Sequence, residues 1–263
     1  MRFLDSHCHL DDRRYQADLP EVLERAQLAG VTTMLTCGTS LASSAECTEL
    51  AAQHPALYAT VGVHPHEAEK VAADGESLAY ALSELTRLAK QPRVVAIGEI
   101  GLDYHYDFAR HETQHVLLSA LSALAVELDL PVVLHNRESD DDMMHILDDV
   151  PHIRGVLHCF SGSQKLLDWA LTHGFYIGVA GTVTFKNAEL LRSMLGAVPH
   201  EHILIETDAP YLAPLGWRGK RNEPAWVVEI AAMLGRLHGL SVGEVGEITY
   251  ANAVRCFGLC DGH

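Results

Sequence analysis

The sequence lacks positive charge: 19 lysines and arginines stand against 35 aspartates and glutamates, a formal charge of −16 at pH 7. Such a field repels nucleic acid and anionic membranes at long range, so an anionic substrate has to be drawn in by local cations or bound metals. No stretch approaches the ~20 uninterrupted apolar residues that span a bilayer. The opening segment, MRFLDSHCHLDD, carries charges where a secretory leader needs an apolar run. A cytoplasmic protein working away from membranes, as a monomer, is the expectation. Its six cysteines, Cys8, Cys37, Cys47, Cys159, Cys256 and Cys260, contain no CxxC pair, which suits reduced thiols better than a disulfide framework. Linkers, low-complexity tracts and shifts of composition are missing as well, so residues 1–263 are expected to form one domain. With 48% hydrophobic residues that domain has ample material for one large core.

What the chain does have is alternation. Short apolar, β-rich runs end near Asp5, Gly38, Gly62, Gly98, His135, His158, Ala180 and Thr207, each of a length that suits a fully buried strand. Helical patterns lie between them. Leu117, Ala120, Leu121, Leu124, Ala125 and Leu128 recur at steps of three and four, as one buried helix face must, and Leu19, Val22, Leu23 and Ala26 do the same with Pro20 near the start. Ser241 followed by Glu244 forms a capping-box pattern ahead of Val245, Ile248 and Ala251. Eight strand-helix units over this length match a (β/α)8 TIM barrel. An open doubly wound sheet alternates in the same way, but the unusual polar residues fall just after the apolar runs, where barrels gather their active sites.

Those polar residues form a set. His7 and His9 alternate around Cys8, so in extended chain both imidazoles face one side. Glu99 follows the fourth run with Gly98 and Gly101 flanking the Glu99-Ile100 pair, a point where a carboxylate can bridge two ions. His135 and His158 end the fifth and sixth runs, and Glu206 and Asp208 leave the eighth facing the same way if strand alternation persists. One such residue is usually structural; several at equivalent positions are not. His7, His9, Glu99, His135, His158 and Asp208 together supply imidazole nitrogen and carboxylate oxygen, a donor set for Zn²⁺, Mn²⁺ or Mg²⁺. Six ligands exceed one tetrahedral site; two ions roughly 3.5 to 4 Å apart would use them all, with a water between as nucleophile, an arrangement that fits phosphoester hydrolysis. Asp208 is the residue expected to orient and deprotonate that water, with Glu99 and Glu206 as further catalytic carboxylates. Trp217 to Glu223 is the densest basic cluster in the chain. From it Arg221, and from the fifth run Arg137, are expected at the substrate phosphate, with Ser161 adding a hydroxyl. Tyr104, Tyr106, Phe185 and Tyr211 could stack on unpaired bases.

The order HCHLD, GVHP, GEIGLDY, PVVLHNR, HCFSG, IETDAPYL and RNEP resembles the TatD family of metal-dependent deoxyribonucleases along nearly the whole chain. The resemblance implies an amidohydrolase-type barrel, two divalent ions and hydrolysis of DNA, often single-stranded, from the 3′ end. It also implies that His7 and His9 bind the first ion with Asp208, that Glu99 bridges, and that His135 and His158 bind the second. His64 and Glu206 are motif positions too, implied as contributors to a third ion or to phosphate contact. The other twelve histidines, from His54 and His66 to His263, fit no ligand position; most are expected at the surface or in loops, and His115 continues a helix. Two other functions compete. A related barrel could hydrolyse a carboxylic ester or amide, such as the ester of a D-aminoacyl-tRNA, although Glu99 stands where many amidohydrolases use a modified lysine. Alternatively the chain could be a non-catalytic, metal-dependent binding protein, against which the retained Arg137, Arg221, Glu206 and Asp208 argue.

Overall fold

The structure is a computed structural model that describes residues 1–259; Cys260 and His263 lie outside the described residues. Each apolar run becomes a strand: β1 (Phe3–Cys8), β2 (Val31–Cys37), β3 (Leu57–Val61), β4 (Val94–Asp103), β5 (Val132–Arg137), β6 (Gly155–Leu157), β7 (Tyr176–Val179) and β8 (Ile203–Ile205). They pair parallel and in sequence order. The ring closes where His9 N donates to Ala209 O at 2.7 Å and Asp208 N donates to His7 O at 2.9 Å. This is the (β/α)8 barrel rather than an open sheet.

The helices are α1 (Leu19–Leu28), α2 (Leu41–Gln53), α3 (Ala68–Val71), α4 (Gly75–Ala89), α5 (His111–Glu127), α6 (Asp140–Asp148), α7 (Gln164–Thr172), α8 (Glu189–Leu195), α9 (Val227–His238) and α10 (Val242–Phe257). The face read from spacing in α5 is the one that packs: Leu117, Leu121, Leu124 and Ala125 are buried against the barrel. Ser241 and Glu244 close the capping box of α10, with Ser241 N donating to Glu244 Oε2 at 2.8 Å and Glu244 N to Ser241 Oγ at 3.3 Å. No single described helix is long and apolar enough to cross a membrane. The five described cysteines are free thiols, four of them buried.

One strand departs from the sequence reading in a way that matters for the site. β4 does not end at Gly98 but runs on to Asp103. Its register against β5 slips between Ile97 and Ile100 and then resumes, so the strand bulges at Glu99 without stopping. Gly101, at φ 150°, lets the resumed strand press onto β5: a Cβ there would lie 1.9 Å from His135 O. Glu99 therefore projects from inside a strand, and the acid that ends the strand is Asp103.

Candidate metal centre

The C-terminal ends of the strands open onto a cleft of about 810 Å³ lined by His9, His64, His66, Glu99, Asp103, His135, Arg137, His158, Ser161 and Asp208, among others. Glu99, only 3% exposed, stands at its floor. The two carboxylate oxygens face different neighbours. Oε2 lies 3.4 Å from His7 Nε2 and 3.6 Å from His9 Nε2. Oε1 lies 2.9 Å from His158 Nε2, 3.0 Å from His135 Nδ1 and 3.5 Å from His64 Nε2. Asp208 Oδ1 joins the first group, 3.3 Å from His9 Nε2 and 3.9 Å from His7 Nε2. Ring nitrogens that approach within 3.2 Å (His7 and His9) and 3.3 Å (His135 and His158) cannot all be charged at that distance. Lone pairs and carboxylate oxygens converging in this way fit a divalent cation. Three overlapping sets, His7, His9 and Asp208; His7, Glu99 and His158; His64, Glu99 and His135, each bring their donor atoms within 4.8 Å of one another.

The outer nitrogen of each ring decides whether its inner nitrogen offers a lone pair. His9 Nδ1 donates to Cys37 O at 3.0 Å, which leaves Nε2 free to ligate. His135 is turned the other way round: its Nε2 donates to Asp103 Oδ2 at 3.1 Å and its Nδ1 faces Glu99. His158 presents Nε2 inward, with Nδ1 3.3 Å from Glu206 Oε1 behind it. His64 differs from these three. Its Nδ1 accepts from His66 N at 3.2 Å, so the neutral ring carries its proton on Nε2, the atom that points at Glu99. His64 is thereby set as a donor into the cleft rather than as a ligand.

Electrostatics follow the same layout. Burial alone would raise the pKa of Glu99, but the imidazoles of His158, His64 and His135 outweigh it and hold the carboxyl well below its usual range. Asp208 is likewise lowered, burial being overcome by His9. In return His9 is pushed up to about 9, since Asp208 and Glu99 outweigh the desolvation of the ring. His158 and His135 are raised by Glu99 together with Glu206 and Asp103 respectively, again against burial. His7 and His64 are lowered, chiefly by burial. The carboxylates thus favour the protonated forms of His9, His135 and His158 beyond what burial would allow.

Several residues stand elsewhere than their spacing implied. Glu206 does not share the cleft with Asp208. It is fully buried, accepting from Cys159 N at 2.5 Å and from Ser6 Oγ at 3.3 Å, in space that exists because position 178 is glycine; a Cβ there would lie 2.6 Å from its carboxylate. Alternation fails because β8 ends at Ile205, and Asp208, at φ 54°, has turned into the left-handed region. Arg221 is not at the cleft either. Its guanidinium grips Asp18 through two bonds of 2.7 Å and lies over the Tyr15 ring. Arg137 and Ser161 do line the cleft. Of the aromatic candidates, Tyr106 and Tyr211 reach it. Tyr104 instead stacks on His111 and donates to Asp142, and Phe185 lies beneath Arg218. His66, read as a surface histidine, lines the cleft and donates to Asp103 Oδ2 at 2.9 Å. Asp103, buried and accepting from both His66 and His135, is the residue the sequence reading missed; the acid closing GEIGLD was its only signal.

A parallel eight-stranded barrel that gathers imidazoles and carboxylates at the mouth of its strands defines the class of metal-dependent barrel hydrolases. A family model described as TatD related DNase matches residues 4–258. The chain is 38% identical over 263 residues to the 3′-5′ ssDNA/RNA exonuclease TatD of Erwinia tasmaniensis, covering 97% of this chain and 99% of that protein. It is 36% identical over 255 residues to the uncharacterized metal-dependent hydrolase YabD of Bacillus subtilis, covering 96% and 98%. Among solved structures, YjjV, a TatD homologue of Escherichia coli K12, superposes with a TM-score of 0.90 at 33% identity, covering 98% of this chain and 99% of that one. The chain belongs to the TatD-related DNase family and is a metal-dependent hydrolase.

Proposed function

We propose that this hydrolase cleaves phosphodiester bonds of single-stranded nucleic acid from the 3′ end, using two divalent ions held by His7, His9, Glu99, His135, His158 and Asp208. The observation that supports the reading best is the division of Glu99, whose Oε2 faces His7 and His9 while Oε1 faces His135 and His158. The substrate class is supported by relatives named 3′-5′ ssDNA/RNA exonuclease. Bound ions of this kind supply an acidified water and neutralise charge on the phosphate. Charge at the cleft makes such ions necessary for a polyanion: its lining has the carboxylates of Asp11, Asp12, Glu67, Glu99, Asp103 and Asp208 against the single guanidinium of Arg137. The side chains do the rest. Asp208, kept ionised beside His9, orients the attacking water and takes its proton. Arg137 and Ser161 hold phosphate oxygens on the wall, and the Nε2 proton of His64 is a further donor to them. The reading takes the chain as one domain acting as a monomer.

The test incubates metal-stripped protein with a 5′-labelled single-stranded oligonucleotide and Mg²⁺, Mn²⁺ or Zn²⁺ in turn, beside a D-aminoacyl-tRNA. Stepwise shortening from the 3′ end that requires metal is the expected result. An intact oligonucleotide with a cleaved tRNA ester would move the assignment to carboxylic esters, and two intact substrates would favour a metal-dependent binding protein.

A further inference from the structure

Four tyrosine and phenylalanine rings are exposed among the described residues, Tyr80, Tyr106, Phe108 and Tyr211; Tyr106 and Tyr211 line the cleft and Phe108 lies beside Tyr106. Tyr106 and Phe108 lie in the turn that follows β4, their ring centroids 5.4 Å apart. Tyr211 lies in the segment that follows β8. Strands four apart in a closed barrel of eight are diametrically opposed, so the two stations stand on opposite sides of the mouth, one following the strand that carries Glu99 and the other following Asp208.

Both stations are rigid although their rings are open to solvent. Asp103 Oδ1 accepts from His105 N at 3.0 Å and Tyr106 N at 3.2 Å. The Gln114 amide donates to Asp103 O at 3.1 Å and Ala109 O at 3.0 Å, which fixes the turn between them. Across the mouth, Tyr211 N donates to Asp208 O at 2.8 Å, and its carbonyl accepts from the Asn222 amide at 2.6 Å. Each station also has an arginine over one ring face: Arg137 lies 4.9 Å from the Tyr106 centroid, and Arg14, itself paired with Asp12 at 2.7 Å, lies 4.4 Å from that of Tyr211. Rigid backbone and a solvent-exposed ring are what an unpaired base meets on a single-strand-binding surface, and at the Tyr106 station Arg137 adds a cation for phosphate. A duplex has no free base face to offer, so such stations select unpaired strand.

Resting on the nuclease reading above, we infer that the nucleotides on the two sides of the scissile phosphate stack on these opposed stations, one base on Phe108 and Tyr106 and the other on Tyr211. The pair holds the strand across the mouth with the bond to be broken over Glu99 and Asp208.

The experiment compares wild-type protein with Phe108→Leu, Tyr211→Leu and Phe108→Trp, each loaded with Mn²⁺, on a single-stranded oligonucleotide and on an abasic strand of the same length. Both leucine variants should raise KM and lower kcat/KM on the base-bearing strand by roughly 5- to 100-fold, the range of one base-aromatic stack, while Phe108→Trp retains wild-type behaviour. On the abasic strand the leucine effects should shrink to about twofold or less. Equal losses on both strands, or none, would overturn the stacking assignment. Should wild type leave the base-bearing strand whole with every ion, the hydrolytic reading fails instead. Fluorescence anisotropy of that strand then decides the stations separately: weaker binding by Phe108→Leu and Tyr211→Leu supports them and unchanged binding refutes them.

Discussion

Replacing Asp103 by asparagine tests how the centre is built, because the change preserves shape and alters only charge and one hydrogen-bonding face. Asp103 Oδ1 accepts from two backbone amides, so the oxygen of an asparagine amide has to stay on that side. Its NH2 then faces His135 Nε2 and His66 Nε2, at the positions where the carboxylate now accepts at 3.1 and 2.9 Å. Donor meets donor unless His135 moves its proton to Nδ1. That nitrogen is the one 3.0 Å from Glu99 Oε1, and a proton there removes the lone pair a metal ion needs. A hydrogen bond to a charged partner contributes about 1.5 to 3 kcal/mol, which at about 1.4 kcal/mol per factor of ten corresponds to a 10- to 100-fold loss of metal affinity. Calorimetric titration of Mn²⁺ or Zn²⁺ into metal-stripped wild type and Asp103→Asn reads this directly, with thermal unfolding in EDTA to establish that both are folded. His66→Leu serves as the control, because it removes the second donor and leaves the tautomer of His135 alone, so its loss should be the smaller one. Equal affinity of wild type and Asp103→Asn, within about twofold, would refute the claim that Asp103 sets the ligating face of His135.

Glu99→Gln keeps the size of the residue and removes its charge from between four inward-facing imidazoles; turnover of the oligonucleotide should fall by about 10³-fold or more, and near-normal turnover would dismiss Glu99 as the shared ligand. Arg221→Ala should leave turnover within about twofold and lower stability by about 1 kcal/mol or less, as expected of a partly exposed ion pair, because its guanidinium is spent on Asp18; a large fall in turnover with unchanged melting temperature would return it to the substrate. Acid should compete with metal. The pKa of His9 in the folded, metal-free protein is raised from 6.5 to about 9, so its protonated form stabilises that state fully below pH 6.5 and the contribution is lost as pH rises through about 9. Metal binding needs the neutral ring, so affinity should climb with pH toward 9, with proton uptake by the buffer during titration at pH 7. An affinity independent of pH over that window would contradict the ligand role of His9.

The sequence discloses the six proposed ligands because each lies at or just beyond an apolar run, and a polar residue in that setting is conspicuous. It hides what lies behind them. Asp103 escapes notice because the glycines around Glu99 read as the end of β4, whereas they are a bulge that the strand survives; the last acid of the strand therefore seems to belong to a loop. Arg221 sits in the densest basic cluster of an acidic chain and reads as a phosphate binder, yet its partner Asp18 is 203 positions away, a pairing that only the closed ring of strands brings about. His64 reads only as a motif position, implied for a third ion or a phosphate contact. Whether it offers a lone pair or a proton depends on the amide of His66 two residues on, a fact of backbone conformation.

Glu206 and Asp208 make the general point most clearly. Periodicity tells which way a side chain faces only while the strand lasts, and β8 lasts three residues. Beyond it the chain must reach β1 to close the barrel, and it does so through Asp208 N donating to His7 O with Asp208 at φ 54°. That turn sends one carboxylate forward into the cleft and leaves the other behind His158, where it accepts from Cys159 N and lies beside Nδ1. Two acids that look equivalent in IETDAP thus part company: Asp208 lines the cleft, and Glu206 lies buried 3.3 Å behind the His158 ring. Closing the barrel and arming the site are the same structural event, so a substitution that loosens the junction of β8 with β1 should disturb both, and catalysis first, because hydrolysis depends on ångström placement and folding does not.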